Sequence, residues 1–294
     1  MRLIMQLAKR NMRVYLRDRT AVFFSLLSVF IIIGLYAVFL GETNVRSIEN
    51  MAKGADPEDV RWLVDSWIMA GILVVNSITV TLGLFGIMID DESKKRIHAY
   101  LVAPVSRGKL VAGYLVAANG VGLLLSAVAF VLVELYIVIS GGQLLALPQM
   151  AQAIGILVVT VLSSSSIVFF LASFIRTSSE FATLSTILGT IIGFITGIYV
   201  PIGVLPEFLQ TLVKFVPATH SAALMRQVFM SEPLDLVFQA APAQVRTEYT
   251  RIFGVDVIVN GEPLTTSVML GIVIATGLVF LVLSVFLMKR RKIA

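Results

Sequence analysis

Six apolar runs, each near the length of one bilayer crossing, constrain this chain more than anything else in it. An α-helix rises about 1.5 Å per residue and a bilayer core is about 30 Å thick, so roughly 20 apolar residues make one span. The runs cover residues 21–40, 66–89, 110–139, 150–175, 181–200 and 267–288. With 57% hydrophobic and 14% charged residues and a mean hydropathy of +0.93, the chain falls outside the soluble range. The expectation is an all-α polytopic membrane protein, with six transmembrane helices in a single transmembrane domain over residues 1–294.

Cytoplasmic flanks carry an excess of Lys and Arg, so their placement sets orientation. Segments 1–20, 90–109, 176–180 and 289–294 hold 16 of the 23 Lys and Arg residues and 5 of the 18 acids. The opposite loops hold 7 basic and 12 acidic residues, which predicts that both termini are cytoplasmic. The net charge of +5 is spread along these flanks, so topology explains it and no nucleic-acid partner is implied. Cysteine is absent, which excludes thiolate metal sites and a cysteine nucleophile. The first apolar run is followed by GETNV rather than by a small-residue cleavage site, and reads as a retained span. No Asn-x-Ser/Thr sequon occurs, which suits a bacterial source.

Residues 1–20 place Arg2, Gln6, Lys9, Arg10, Arg13 and Arg17 on one helical face and Leu3, Ile4, Leu7, Ala8, Met12, Tyr15 and Leu16 on the other. Such a helix lies in the membrane interface, its basic face toward head groups or a cytosolic partner; the plainer alternative is a positive-inside anchor. Trp62 and Trp67 look like interfacial aromatics at the start of the second span. Asn76, within that span, is costly to leave in lipid and should face protein or a cavity. Glu134 lies about 36 Å along the helix axis beyond Leu110, which predicts a boundary acid reaching water rather than a proton relay. Ser163 to Ser166 permit close helix approach, and Gly189, Gly193 and Gly197 form a double G-x-x-x-G that opens one face for helix packing.

The segment 201–266 is the longest outer stretch. Pro201, Pro206 and Pro217 break its apolar first part into short pieces, which predicts a re-entrant or interfacial helical hairpin. Residues 231–263 are polar enough for an external cap, and VDVIVNGEP, with its Asn260-Gly261 turn, carries a hairpin signal.

Catalytic chemistry is poorly represented. His98 and His220 fall on opposite sides of the membrane, and no nucleophile and base converge. Gly108-Lys109-Leu110 lacks the Ser/Thr and upstream glycine of a phosphate-binding loop, so nucleotide hydrolysis belongs to another polypeptide. The loop 90–109 is charged at both ends and apolar in the middle, where Ile97, Tyr100 and Leu101 recur at helical spacing and could fill a cleft on a partner. The alternative is that they pack against the inner ends of the spans.

The basic amphipathic start, the six spans, the loop reading LVAPVSRGKLVAGY and the segment TGIYVPIGVLPEFLQTLVKFVPATHSAALMRQVF together resemble the permease subunits of ABC-2-type transporters. The likeness covers nearly the whole chain and is sharpest at Leu101–Arg107 and Tyr199–Pro217. It implies a dimer with a second copy or a paralogue, seated in membrane lipid. It also implies two cytosolic ATPase subunits, which would bind the ATP and Mg; no cofactor is expected in this chain. ATPase contacts would fall on Arg10, Arg13, Glu92, Arg96, Ile97, Tyr100, Leu101 and Pro104. A path between the second and fifth spans of two subunits would be lined by Asn76, Thr79, Thr190, Phe194 and Thr196, mostly apolar with scattered hydroxyls, which suits a lipophilic or amphiphilic cargo. Two features depart from the family pattern: Arg96-Ile97 stands where Gly-Thr is usual, and 231–263 lengthens the outer segment. The expectation is a multi-pass exporter subunit in a bacterial or archaeal cell membrane. A stand-alone secondary transporter or channel is the alternative, but such proteins usually carry midplane charges or paired broken helices.

Overall fold

The computed structural model describes residues 1–35, 45, 48, 51, 52, 54–96 and 106–290. The described chain is mostly helical, and its elements in order are α1 (Arg2–Arg17), α2 (Arg19–Leu35), α3 (Pro57–Ser93), α4 (Arg107–Ile139), α5 (Leu147–Ala172) and α6 (Ser178–Ile195). Then come α7 (Glu207–Val213), α8 (Pro217–Phe229), α9 (Ser231–Phe238), α10 (Ala243–Ile252), the strands β1 (Ile258–Val259) and β2 (Glu262–Pro263), and α11 (Thr266–Arg290). Five of these helices, α3 to α6 and α11, are long and apolar enough to cross a membrane. The expected first span appears as α2, which is shorter, and residues 36–40 of that expectation lie outside the described residues.

Helix α3 is the axis of the bundle. The Asp56 carboxylate accepts the Glu58 amide, Pro57 opens the first turn, and Glu58 and Asp59 sit where the helix dipole favours acids. Its 37 residues span about 55 Å, so both ends project past a bilayer core. Helices α2, α4, α5, α6 and α8 all pack on it, and it is buried along most of its length, as a helix apolar on every side must be. Phe85 stacks on Phe169 of α5 at 5.5 Å, and Ser77 and Ser126 of α4 share a hydrogen bond of 3.2 Å. By contrast α6 and α11 leave most of their side chains exposed.

At one end of the bundle, here the loop end, Asp18 terminates α1 and its carboxylate accepts the Ala21 amide at the start of α2. Helix α1 lies across α4, so close that a Cβ at Gly113 would stand 2.7 Å from Leu7. At the other, the cap end, α8 is wedged among α3, α5 and α11 with eleven buried residues, while α7 exposes Phe208 and Leu212. The short hairpin pairs Ile258 with Pro263 and Val259 with Glu262 across Asn260 and Gly261, both at positive φ, as its turn residues lead one to expect.

Four expectations are corrected. Helix α6 ends at Ile195 rather than at residue 200, because Gly197 adopts φ +73° and the Gly197 and Ile198 amides bond back to Phe194 and Gly193. That is a Schellman termination, which needs a residue at ease in the left-handed region. Consequently Gly189, Gly193 and Gly197 do not share one helical face: Gly193 is covered by the Tyr199 ring, Gly197 lies past the helix, and Gly189 alone faces open space. Trp62 and Trp67 are buried rather than interfacial, at 8% and 1% exposure. Glu134 does sit at a helix end, but it accepts the Leu145 amide (3.2 Å) and is itself buried instead of reaching water.

Candidate functional site

Among the described residues, the loop end holds a cluster of polar side chains from three helices. Asp91 is fully buried near the end of α3, yet the sequence there is a run of acids, so its charge has to be met locally. Arg10 of α1 meets it with both arms of the guanidinium: Nη1 donates to Oδ2, and Nη2 to Oδ1 at 3.2 Å. The Tyr114 hydroxyl of α4 donates to Oδ2 at 2.8 Å, and Arg96 reaches Oδ1 at 3.5 Å. Three helices distant in sequence thus meet on one carboxylate.

Asp90 faces the other way. Lys94 Nζ and Ser178 Oγ each donate to it at 2.6 Å, and Ser93 lies 3.1 Å from Ser178, so the start of α6 is fastened to the end of α3. A cavity of about 340 Å³ opens beside the two acids, with Tyr15, Asp18, Arg96 and Phe181 among its walls. Gly83 and Gly86 keep it open, since a Cβ at Gly83 would stand 2.8 Å from the Tyr15 hydroxyl.

Arg13 is exposed on α1, as expected of a partner-facing residue, whereas Arg10 is turned inward onto Asp91 and is not part of an outward basic face. Glu92 is half-buried and Arg96 is exposed at the start of the loop. Ile97, Tyr100, Leu101 and Pro104 lie outside the described residues.

The residues expected to line a path do not share one surface of the subunit. Thr190 and Phe194 are exposed on α6, Thr79 is half-buried on α3, and Asn76 and Thr196 are sealed inside. Thr196 is held there because its hydroxyl bonds back to Ile192 (2.8 Å) and its carbonyl accepts Arg226 Nη2 (2.8 Å). Behind α6 lies an apolar cavity of about 310 Å³ lined by Ile78, Ile167, Leu188, Ile192, Phe215 and Phe280. The sequence does not mark these six, because apolar side chains on apolar helices carry no distinguishing signal.

The cap is tied to the bundle by a buried cation. Arg226 of α8 lies with its guanidinium 5.0 Å from the Trp67 ring centroid and also reaches the Gly254 carbonyl at 3.4 Å. The Trp67 indole donates to the Phe253 carbonyl at 2.7 Å, and Tyr249 stacks on Phe253 at 4.3 Å. Burial raises the Tyr249 hydroxyl above its ordinary pKa, with the Arg226 charge opposing, so the phenol is neutral. His220 is buried too, its Nε2 2.8 Å from the Lys214 carbonyl, a contact that closes the α7–α8 turn. Among the described residues no group of His, Asp and Glu is placed to hold a metal ion.

A bundle of membrane-length helices with a charged joint at one end and a helical cap at the other defines a multi-pass membrane protein. The profile described as ABC-2 type transporter matches residues 2–230, well over half of the chain. The chain belongs to the ABC-2 type transporter family, and it is a transport component of the permease kind. The match stops where α9 begins, so α9, α10, the hairpin and α11 lie beyond it. No curated protein matches the chain.

Proposed function

We propose that this chain is the membrane subunit of an ATP-driven exporter, carrying a lipophilic or amphiphilic cargo out of the cytoplasm. It works as a dimer with a second copy or a paralogue, in the cell membrane of a bacterium or archaeon, with both termini cytoplasmic. Residues 21–40 supply the sixth span, α1 is the interfacial helix, and α7 with α8 forms the re-entrant pair. Two cytosolic ATPase subunits bind ATP and Mg and press on the segment Glu92 to Pro104 and on Arg13.

The observation that supports this reading is the joint at Asp91. A push on the loop is delivered to the last turn of α3, where Arg10 and Tyr114 make α1, α3 and α4 respond together. Packed interfaces of this kind have discrete arrangements, which is what alternating access requires. The exposed Thr186, Thr190 and Phe194 face of α6 then meets its counterpart across the dimer and lines the path. The 310 Å³ apolar cavity behind it suits a greasy cargo.

The test is transport in proteoliposomes holding the chain and its ATPase, with a fluorescent amphiphile as cargo. ATP-dependent loss of cargo from the ATPase side is expected. Equal movement without ATP, or by the chain alone, would replace this reading with that of a stand-alone transporter or channel.

A further inference from the structure

Three cavities linked by shared wall residues run from the cap down the seam between α5 and α11. The first, about 450 Å³, lies in the cap between α9 and α10 and is polar: Asp235, Arg246, Thr247, Asp256 and Gln227 are in its walls. The second, about 610 Å³, runs beneath it between α5, α8 and α11, and shares Gln227 and Thr266 with the first. The third, about 410 Å³, continues between α4, α5 and α11 and shares Val159 with the second. The Thr266 hydroxyl donates to Gln227 Oε1 at 3.2 Å, so the boundary between the polar mouth and the furrow is one hydrogen bond.

Below that boundary the walls are mostly apolar, with Gln152, Asn119, Ser163 and Ser166 the polar side chains among them, and they open sideways. Ile274 and Leu278 are 42% and 58% exposed, and Gly155 is exposed with nothing within 4 Å of where its Cβ would stand. From Gln152 to Leu162 the furrow follows about 15 Å of helix axis, the depth of one leaflet. The mouth holds two carboxylates, Asp235 and Asp256, against one base. Arg246 is paired with Asp235 at 2.5 Å, whereas Asp256 has only the Gln227 amide, whose Nε2 donates to its Oδ1 at 3.5 Å, so among the pocket's residues no cation meets it.

We infer that this furrow binds one amphiphile with an ammonium-bearing head, the head in the cap pocket near Asp256 and the tail along α5 and α11 in the leaflet at the cap end. A polar pocket, net acidic, opening directly into an apolar trough of leaflet depth matches that chemistry at both ends. Binding there would fasten the cap, which lies beyond the family match, to α5 within it and to α11. The furrow and the apolar cavity behind α6 share Ser163 as a wall residue and otherwise have different linings.

The test uses the full-length protein in nanodiscs doped with phosphatidylethanolamine carrying a diazirine midway along one acyl chain, with the phosphatidylglycerol analogue in parallel. After irradiation, adducts should concentrate on residues 152–162 and 266–278. Gly155→Phe, or Gln152→Trp if the first elutes poorly, should reduce them to the level at ordinary exposed positions; Val131→Phe on α4 should not. Asp256→Asn should cut the preference for the ethanolamine head about threefold, the worth of a rim ion pair. Adducts spread over all exposed helices, adducts untouched by either plug, or cross-linking of two copies of the chain through this face would each overturn the inference.

Discussion

The Arg10 guanidinium closes over the Asp91 carboxylate across 81 positions of sequence, and it does so where Asp91 has no exposed surface at all. Tyr114 completes the arrangement from a third helix, so the first helix of the chain, the end of the central helix and the start of the next are joined through two oxygen atoms. A charge buried this way is costly to leave unpaired, which makes the joint strong in place and sensitive to the loss of any partner.

Arg10→Ala should therefore destabilise the subunit by about 3 kcal/mol, the low end of the range for breaking a buried pair, because a third of the Arg10 side chain stays exposed. Adding Asp91→Asn should recover part of that loss, since it removes the stranded charge. Unfolding titrations in mixed micelles on both single variants and the double variant measure the coupling. Simple additivity would show that the two residues do not depend on each other.

Trp67 gives a sharper test of the cap. Trp67→Ala removes a fully buried indole and its bond to Phe253, and should cost roughly 3–5 kcal/mol. Trp67→Phe keeps a ring under Arg226 and loses mainly the hydrogen bond, about 1 kcal/mol. Limited proteolysis should find residues 231–265 cut much faster in the alanine variant than in the phenylalanine one.

The three glycines of α6 and its end should separate cleanly. Gly197→Ala puts a side chain at φ +73° and should cost about 1–2 kcal/mol. Gly193→Ala only displaces the half-exposed Tyr199 ring from Phe194, worth about 0.5–1.5 kcal/mol. Gly189→Ala should be neutral or stabilising by up to about 1 kcal/mol in the subunit, because nothing stands beside it and alanine favours helix. Gly189→Leu should weaken dimerisation if that face of α6 meets a second copy, and size-exclusion chromatography with light scattering reads it.

The long apolar helices were legible because span length is a direct count of apolar residues, and the hairpin because Asn260-Gly261 tolerates positive φ on both residues. The end of α6 is also written in the chain, but the spacing of Gly197 fits two roles at once, a third packing glycine and a left-handed helix terminus. What could not be read were the side-chain meetings: Asp91 with Arg10 and Tyr114, and Arg226 with Trp67 and Thr196, join residues whose separation follows no period. Two signals did exist. Two consecutive acids at the end of a span need a partner, and an arginine inside the apolar stretch PATHSAALMRQVF needs acceptors. Neither names the partner.

The segment from Ile97 to Leu101 is where a separate ATPase is proposed to press on this chain, and retention of that ATPase measures it most directly. The chain is purified by affinity from membranes in which the ATPase is co-expressed, as wild type, Tyr100→Asp and Leu101→Asp. Both variants should elute as intact subunits, lose most of the bound ATPase, and lose ATP-dependent transport with it. Full ATPase retention and undiminished transport in both variants would contradict the proposed contact.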